Sequence, residues 1–340
     1  MAYSAISKSS SYFNTKIYTG TGSSNALTGV GFQPDWTWIK SRSNSYSHTL
    51  TDAIRGYTKH NASNNSNAEY TSTTEITSFN SDGFTLGTDA GVNNNGSTFA
   101  SWNWKANGSG SANGDGDINS TVSVNTTSGF SIVSYTGNGS TATVGHGLGV
   151  VPKVIIIKCT SNTGNWQFYH EDIGNNKKLI LNTNAAEASS GFMNNTSPTS
   201  SVFTVINDVD VGQNGYTYIA YCFADIQGYS KFGSYTGNQN TDGPFIYTGF
   251  RPSMIIIKKS SGTGDWMLFD NKREGYNPDN DALNPNLTDT EGTTDYLNLL
   301  SNGFKIKTVD GLVNDSGNTY IFMASGQPTV STNGDIATAR

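Results

Sequence analysis

The chain has 340 residues, of which 34% are hydrophobic and 14% are charged, and it is rich in Asn, Ser, Thr and Gly. This length corresponds to two or three domains, and the aromatic content of 11% argues against a disordered chain. A net charge of −6 without a long basic run excludes the electrostatic footprint of a nucleic-acid-binding protein. No segment approaches the roughly 20 apolar residues of a membrane span, and the N-terminus lacks the pattern of a signal peptide, so secretory export is not indicated.

A repeated pattern runs along the chain. The triplet Tyr-Thr-Gly occurs at residues 18–20, 135–137 and 235–237, and a Gly-x-x-Pro-x5-Lys motif follows each copy. Matched positions in the three copies are Lys40, Lys158 and Lys258; Phe84, Phe203 and Phe304; and Thr98, Thr217 and Thr319. The spacing stays at 118 or 119 residues between copies one and two, and at 100 to 102 between copies two and three. The sequence therefore predicts one unit copied three times.

These landmarks divide the chain. We predict β modules in residues 17–106, 130–227 and 228–330, an N-terminal arm in residues 1–16 and a C-terminal tail in residues 331–340. Residues 107–129 begin with a stretch of Gly, Ser and Asn that is typical of a flexible linker. Because no such insert separates copies two and three, we expect these two to abut rigidly and copy one to be hinged.

The local patterns predict an all-β fold. Residues 154–157 and 254–257 are short apolar runs after a proline, which is typical of strands buried on both faces. The closing strand of each copy alternates, as with Ile219, Tyr221 and Phe223 against Tyr218, Ala220 and Cys222. Asp-Gly and Asn-Gly turn signals are frequent. We expect a compact β-sandwich of about 100 residues for each copy, and an elongated molecule made of three such units in series.

The titratable residues indicate no catalytic, metal or cofactor site. His48, His60, His146 and His170 have no zinc-like spacing, and we interpret them as surface or turn residues. His170 corresponds in the repeat to Asp52 and Asp270, so no reactive residue keeps its place in all three copies. Cys159 and Cys222 occur in one copy only, which favours buried free thiols over a disulfide.

Other chemically suggestive residues have structural explanations. Trp36, Trp38, Trp102 and Trp104 occupy positions that are apolar in the other copies, which predicts core packing. Trp166 and Trp266 stand in Gly- and Asn-rich loops and are the candidates for an exposed aromatic ligand contact. The matched lysines are expected to snorkel from strand ends. Residues 113–117 resemble part of a calcium loop but lack its terminal Glu, so we interpret them as linker.

Several longer segments resemble a family of virion proteins from marine bacteriophages, described as tail-fibre-like or lectin-like. The segments are GFQPDWTWIK (31–40), SFNSDGF (78–84), WNWK (102–105), VGHGLG (144–149), YIAYCFA (218–224) and YSKFGSYTG (229–237). The resemblance implies a virion surface protein, assembled in the host cytoplasm and released by lysis. It further implies contacts with other virion proteins, a homo-oligomer, with a trimer favoured, and possible contact with a host surface glycan.

Three functions follow as hypotheses. The first is a tail-fibre or receptor-binding component that contacts glycans, and the second is a decoration or fibre protein of the capsid. The third is a carbohydrate-active enzyme, which would need titratable side chains at matched positions. We expect no enzyme activity, no cofactor, no nucleic-acid partner and no membrane insertion.

Overall fold

A computed structural model describes residues 4–274, 276–278 and 281–329. The predicted all-β class is confirmed, because the described residues form antiparallel sheets with two one-turn helices, α1 (Ala90–Asn93) and α2 (Gly311–Asn314). Two short 3-10 turns lie at Ser9–Ser11 and Glu171–Ile173. Within these residues no helix has the length and apolarity that crossing a membrane requires.

The strands are short and follow the turn signals closely. Residues 4–106 contain β1 (Phe13–Thr19), β2 (Asn25–Leu27), β3 (Trp36–Ser41), β4 (Thr49–Asp52), β5 (Lys59–His60), β6 (Tyr70–Thr71), β7 (Ile76–Asn80), β8 (Gly83–Leu86) and β9 (Thr98–Trp104). Residues 107–227 contain β10 (Ser111–Asn113), β11 (Ser120–Asn125), β12 (Phe130–Thr136), β13 (Ala142–Gly145), β14 (Val154–Cys159), β15 (Gln167–His170), β16 (Lys177–Ile180), β17 (Ala188–Ser189), β18 (Val202–Val205) and β19 (Thr217–Phe223). Residues 228–329 contain β20 (Ser230–Thr236), β21 (Phe245–Tyr247), β22 (Phe250–Lys259), β23 (Met267–Asp270), β24 (Leu297–Leu300), β25 (Gly303–Ile306) and β26 (Thr319–Pro328).

One strand order recurs in three main sheets. The first main sheet is β1-β9-β3-β4, the third is β20-β26-β22-β23, and the second contains β12-β19-β14-β15 within eight strands. The registers also correspond, because the residue pairs Trp36–Asp52, Val154–His170 and Met254–Asp270 lie opposite each other. In each sheet the closing strand lies between the opening strand and the strand that follows the Gly-x-x-Pro motif.

A small sheet covers the outer face of each main sheet. These small sheets are β2-β8-β7, β13-β18 and β21-β25-β24. Ile39 and Phe99 pack with Phe84 across the first pair, and Ile255 and Phe322 pack with Phe304 across the third. Burial of apolar area on this face stabilises each sheet pair as a sandwich-like layer.

The inner faces of the three main sheets share one central core. Trp36, Trp38, Ile156, Tyr221, Ile256 and Met323 all belong to this cluster and are almost completely buried. Trp36 stacks on Tyr221 with ring centroids 4.2 Å apart, and Phe168 lies 4.7 Å from Trp266. This arrangement differs from the elongated series that we expected. The strands before each matched lysine are buried on both faces, as predicted, because the second face packs against neighbouring sheets.

Hydrogen bonds between the main sheets form a closed ring of contacts. The Tyr221 hydroxyl donates to Asp52 Oδ2 at 2.9 Å, joining the second sheet to the first. A ring nitrogen of His170 lies 3.2 Å from the carbonyl oxygen of Phe322, joining the second sheet to the third. Trp102 Nε1 donates to Asp270 Oδ2 at 3.0 Å, joining the first sheet to the third. Each main sheet therefore contacts both others, and the first is not set apart by a hinge.

The segment that we interpreted as a linker contributes two strands. Within residues 107–129, β11 pairs with β12 over six residues, and β10 pairs with β11. The side chain of Val122 is buried in the core that lies between the second main sheet and its covering sheet. The composition of residues 107–117 concealed this, since the alternation of β11 starts only at Ser120.

The two ends of the described chain lie side by side. Ser9 donates from its backbone N–H to Gln327 Oε1 at 3.1 Å, and Gln327 Nε2 donates to the carbonyl oxygen of Ser7 at 3.0 Å. Residues 4–16 therefore include the start of β1 and a segment that is fastened to β26. The first three residues of the predicted arm and the predicted tail, residues 331–340, lie outside the described residues.

Candidate functional site

The repeat position of Asp52, His170 and Asp270 is occupied by fully buried side chains. Arg55 Nε lies 2.6 Å from Asp52 Oδ2, and Arg273 Nε lies 2.6 Å from Asp270 Oδ2. His170 accepts a hydrogen bond from the Asp172 N–H at Nδ1, 3.1 Å away. Each of the three therefore closes the turn after its strand and also contacts a neighbouring main sheet. This is a structural role that either an acid or an imidazole can fill.

Trp166 and Trp266, the candidates for an exposed ligand contact, are at most 1% exposed. Trp166 Nε1 donates to the carbonyl oxygen of Ala62 at 2.9 Å, and Trp266 Nε1 donates to that of Ile180 at 3.2 Å. His48, which corresponds to them in the repeat, has Nε2 at 2.9 Å from the carbonyl oxygen of Asn284. Each of these three side chains contacts a backbone carbonyl in a segment that belongs with a different main sheet. A free ligand has no access to them.

The matched lysines are fully buried, which corrects the expectation that they snorkel. Each ammonium group donates to the carbonyl of the following residue. These bonds are Lys40 to Ser41 (2.7 Å), Lys158 to Cys159 (2.6 Å) and Lys258 to Lys259 (2.6 Å). Burial lowers the pKa of each lysine to about 8. Lys158 and Lys258 also reach the carbonyls of Ser66 and Asn184 at 3.4 Å, so these two lysines hold segments of neighbouring sheets.

The interpretation of the histidines as surface residues was wrong, because all four are completely buried. Burial, followed by the nearby Lys40, lowers the pKa of His48 to about 3. Burial likewise lowers the pKa of His60 to about 4, and it also lowers the pKa of His146. A ring nitrogen of His146 lies 3.1 Å from the carbonyl oxygen of Thr199. The histidines satisfy backbone groups in the interior.

His60 and Glu75 form a titratable cluster that the sequence analysis did not identify. His60 Nδ1 lies 2.6 Å from Thr51 Oγ1 and 3.6 Å from Glu75 Oε2, and the Tyr70 hydroxyl donates to Glu75 Oε2 at 3.2 Å. Burial, and then the charge of Asp89, raises the pKa of Glu75 to about 7. A nucleophilic triad needs its hydroxyl and its acid on different ring nitrogens. Here both face Nδ1, and Thr51 is completely buried, so the cluster lacks that geometry.

Metal-ligating side chains are dispersed. In the described part of the chain, no group of three or more His, Cys, Asp or Glu side chains is arranged to hold a metal ion. In the calcium-like stretch Asp117 Oδ2 accepts hydrogen bonds from the Thr143 backbone N–H at 2.9 Å and from its hydroxyl at 2.8 Å. Cys159 and Cys222 are free and buried, as predicted. Trp36, Trp38, Trp102 and Trp104 lie in the core, also as predicted.

An exposed aromatic pair lies on β21, the edge strand of the third covering sheet. Phe245 is 47% exposed and Tyr247 is 59% exposed, while Ile246 between them points into the core. Lys231 Nζ lies 5.6 Å from the centroid of the Tyr247 ring, within the range of a cation–π contact. Lys305 is opposite Phe245 in the sheet register and pairs with Asp242 at 2.6 Å.

We call these five residues the aromatic surface: Lys231, Asp242, Phe245, Tyr247 and Lys305. It combines two exposed rings with charged groups that can donate and accept hydrogen bonds. The corresponding strands β2 and β13 carry no aromatic side chain. The sequence analysis did not identify these residues, although the alternation of Phe-Ile-Tyr at residues 245–247 is the signal that could have found them.

Comparison with known proteins identifies a family and no relative of known activity. A family model with the description "Domain of unknown function (DUF7483)" matches residues 8–328. No curated protein and no solved structure matches the chain. Since the matched region begins just before β1 and ends with β26, it includes all three main sheets and their covering sheets. The chain belongs to the DUF7483 family.

Proposed function

We propose that this chain is a surface protein of a phage virion, and that it contacts a host glycan as part of a tail fibre or receptor-binding component. The aromatic surface carries the proposed glycan contact, and the virion assignment rests on the sequence resemblance. A sugar ring has an apolar face of C–H groups and a rim of hydroxyls, so it is recognised by an exposed aromatic face beside charged hydrogen-bonding groups. Phe245 and Tyr247 supply such rings, and Lys231, Asp242 and Lys305 supply such groups.

Rigidity of the strand supports this assignment. Ile246 anchors β21 in the core, and β21 pairs with β25 over three residues. The two rings are therefore held on one side of a strand, and little conformational entropy is lost when they bind a ligand. A site on a rigid element is better organised than the same side chains on a loop.

We also propose that the three main sheets, each with its covering sheet, are copies of one β-sandwich unit closed into a ring. The proposed units are residues 17–106, 130–227 and 228–330. The common strand order, the matched registers and the contacts of each main sheet with both others support this. The extra strands β10 and β11 precede the second unit in the chain and extend its main sheet by pairing next to β12.

Self-association of the chain stays a prediction. The ring already brings three related sheets together within one chain of 36.3 kDa, as a trimer of single units would. The mass of the purified particle in solution distinguishes a monomer from the homotrimer that the resemblance implies. Labelling of intact virions with an antibody distinguishes a tail component from a capsid decoration.

A glycan array tests the proposed contact. We expect the purified chain to bind a defined set of host surface glycans, and Phe245→Ala and Tyr247→Ala each to weaken this binding by about tenfold or more, since truncated aromatic anchors cost 1–3 kcal/mol or more. Tyr57→Ala is the matched control, because Tyr57 is 43% exposed and belongs to the segment between β4 and β5. Unaltered binding by both variants would contradict the proposal. Release of reducing sugar from a bound polysaccharide would instead favour the enzyme hypothesis.

A further inference from the structure

The aromatic side chains of β21 stand where the other two covering sheets carry small side chains. The sheet registers align Phe245 with Ala26 and Thr143, and Tyr247 with Thr28 and Gly145. The same arrangement of strands therefore forms without aromatic rings at these positions. Exposed rings that packing does not require are typical of a binding surface.

The lysines beside the rings also have uncharged counterparts. The registers align Lys305 with Thr85 and Thr204, and Lys231 with Asn14 and Ser131. Lys307, two residues further along the chain than Lys305, corresponds to Gly87 and Ile206. Rings and cations thus occur together at these positions in the third sheet pair, although the other two pairs form without either.

Both rings are held close to a lysine. Tyr247 is opposite Gly303 in the register, and a β-carbon at Gly303 would lie 3.1 Å from Phe245 Cε2, so the Phe245 ring leans towards this glycine. Lys305 is directly opposite Phe245, and Lys231 Nζ lies 5.6 Å from the centroid of the Tyr247 ring. A ligand that stacks on either ring therefore has an ammonium group nearby.

Asp242, the acidic member of the aromatic surface, lies among cations. Lys305 Nζ pairs with its carboxylate at 2.6 Å. The hydrogen bond and charge of Lys305, followed by the charge of Lys307, hold the pKa of Asp242 below its ordinary value. The Asp242 side chain is 77% exposed, so water screens the pair and the anionic group of a ligand can compete for Lys305.

Lys231 has no carboxylate to itself. It forms no ion pair with any described residue. Its charge acts on Asp225, but Lys153 affects the pKa of that carboxylate more strongly, and Asp225 Oδ1 already accepts the Phe232 N–H at 3.0 Å. The three lysines of this region therefore exceed the charge of Asp242 and Asp225, in a chain whose net charge is −6. A local excess of cations attracts anions.

We propose that the glycan bound by the aromatic surface is acidic, with a carboxylate or a sulfate on its sugar units. The C–H face of a sugar ring packs on Phe245 or Tyr247, and the acidic group pairs with Lys305 or Lys231. A neutral sugar would cover the rings and leave both ammonium groups to water. This inference rests on the glycan contact proposed above and names its chemical class.

The glycan array, compared between acidic and neutral glycans, tests the assignment. We expect acidic glycans to dominate the bound set, and their binding to weaken as the ionic strength rises. Titration calorimetry of the full chain then compares tetragalacturonate, a sulfated galactan tetrasaccharide and neutral cellotetraose. We expect one of the two acidic tetrasaccharides to bind about tenfold or more tightly than cellotetraose, and the one that does so identifies the anionic group.

Substitutions taken from the other sheet pairs remove the charge and keep the fold, as unchanged thermal unfolding would show. Lys305→Thr and Lys231→Asn each introduce a side chain found at a corresponding position. Each should weaken binding of the preferred acidic tetrasaccharide by about threefold or more. Asp242→Asn should strengthen it by a similar factor, because Lys305 loses its competing carboxylate. Lys105→Gln, which removes an exposed lysine directly after β9, is the matched control and should leave binding unchanged.

The outcomes separate this inference from the proposed function. Glycan binding that Phe245→Ala abolishes but that shows no preference for acidic glycans would overturn the inference and leave the glycan contact standing. Equal affinities of Lys305→Thr, Lys231→Asn and Lys105→Gln would also overturn it, since the lysines would then select nothing. If polyglutamate bound as tightly as the acidic tetrasaccharide, the surface would recognise charge alone and the assignment to a glycan would fail. Binding of no glycan at all would contradict the proposed function and this inference together.

Discussion

Buried polar side chains connect the three main sheets residue by residue. Asp270 and Arg273 have no exposed side-chain surface, and Asp270 also accepts the indole N–H of Trp102. Arg273 lies 5.6 Å from the centroid of that ring and reaches Glu291 at 2.9 Å. One carboxylate thus organises a turn of the third sheet and its contact with the first.

Replacing this carboxylate should destabilise the fold. Asp270→Asn leaves the Arg273 guanidinium buried beside a neutral amide, and breaking one partner of a buried ion pair costs about 3–5 kcal/mol. The free energy of unfolding from urea denaturation measures the effect. Asp242→Asn, which removes an exposed partner of Lys305, is the control and should leave stability unchanged within error. Similar results for the two variants would contradict this account.

The buried lysines predict a pH dependence of stability. A folded-state pKa of about 8 lies below the unfolded value of about 10.4, so the unfolded chain binds more protons between these values. Stability that depends on Lys158 therefore rises as the pH increases from about 8 to 9.5. Lys158→Met removes this component. We expect the gain in unfolding free energy between pH 7.5 and 9.5 to be smaller in the variant than in the unaltered chain, and an equal gain would show that burial does not perturb this lysine.

The sequence revealed which positions are equivalent but not what their side chains contact. His48, Trp166 and Trp266 look chemically different, yet each places a ring nitrogen next to a backbone carbonyl. These carbonyls are 236, 104 and 86 residues away in the chain, and a backbone acceptor leaves no signal in side-chain identities. For the same reason the matched lysines could not be recognised as buried, since their partners are also carbonyls.

At the scale of elements, the sequence was misleading in residues 107–129, where β10 and β11 lie in the predicted linker. Gly, Ser and Asn dominate residues 107–117, whereas Val122 and Val124 alternate with polar residues in β11. Pairing with β12 gives β11 its backbone hydrogen bonds and buries Val122. The composition of residues 107–117 therefore predicted a linker. The alternation of apolar and polar residues within β11 indicated a strand instead.

A conservative substitution distinguishes a strand from a linker here. Val122→Ala removes two methyl-sized groups from the core, at about 0.8 kcal/mol each before any cavity is counted, so we expect a loss of about 1.5–3 kcal/mol. Thr121→Ala, at the adjacent half-buried position of β11, is the control and should change stability far less. Urea unfolding measures both, and equal stability of the two variants would mean that β11 contributes no packing.

At the scale of the whole molecule, the central core decides how the parts depend on one another. The burial of β14 and β22 on both faces was predictable, because residues 154–157 and 254–257 are apolar throughout. The surface that covers the second face was not predictable, since it belongs to distant segments of the chain. Trp36 illustrates this, for it packs on Phe130, Tyr221 and Phe223, all of which belong to the second main sheet.

A shared core predicts that the chain unfolds as one unit. If residues 17–106 melted alone, the inner faces of the second and third main sheets would lose their apolar cover, including that of Tyr221 and Met323. Each such side chain is stabilised by about 1.5–3 kcal/mol through burial, so the remaining sheets would not persist. Trp36→Ala, which costs about 3–5 kcal/mol as a large core truncation, should therefore lower the temperature of a single calorimetric transition.

Independent units would respond differently, because only the part that contains the substitution would melt early. The transition would then split, with a fraction of the unfolding enthalpy staying at the original temperature. A fragment of residues 107–227 offers a second comparison, since it keeps its own sheets and covering layer but exposes the inner face of β14 and β19. We expect this fragment to lack a cooperative transition. The central core joins the three sheets energetically only if the full chain melts in one step and the fragment does not melt cooperatively at all.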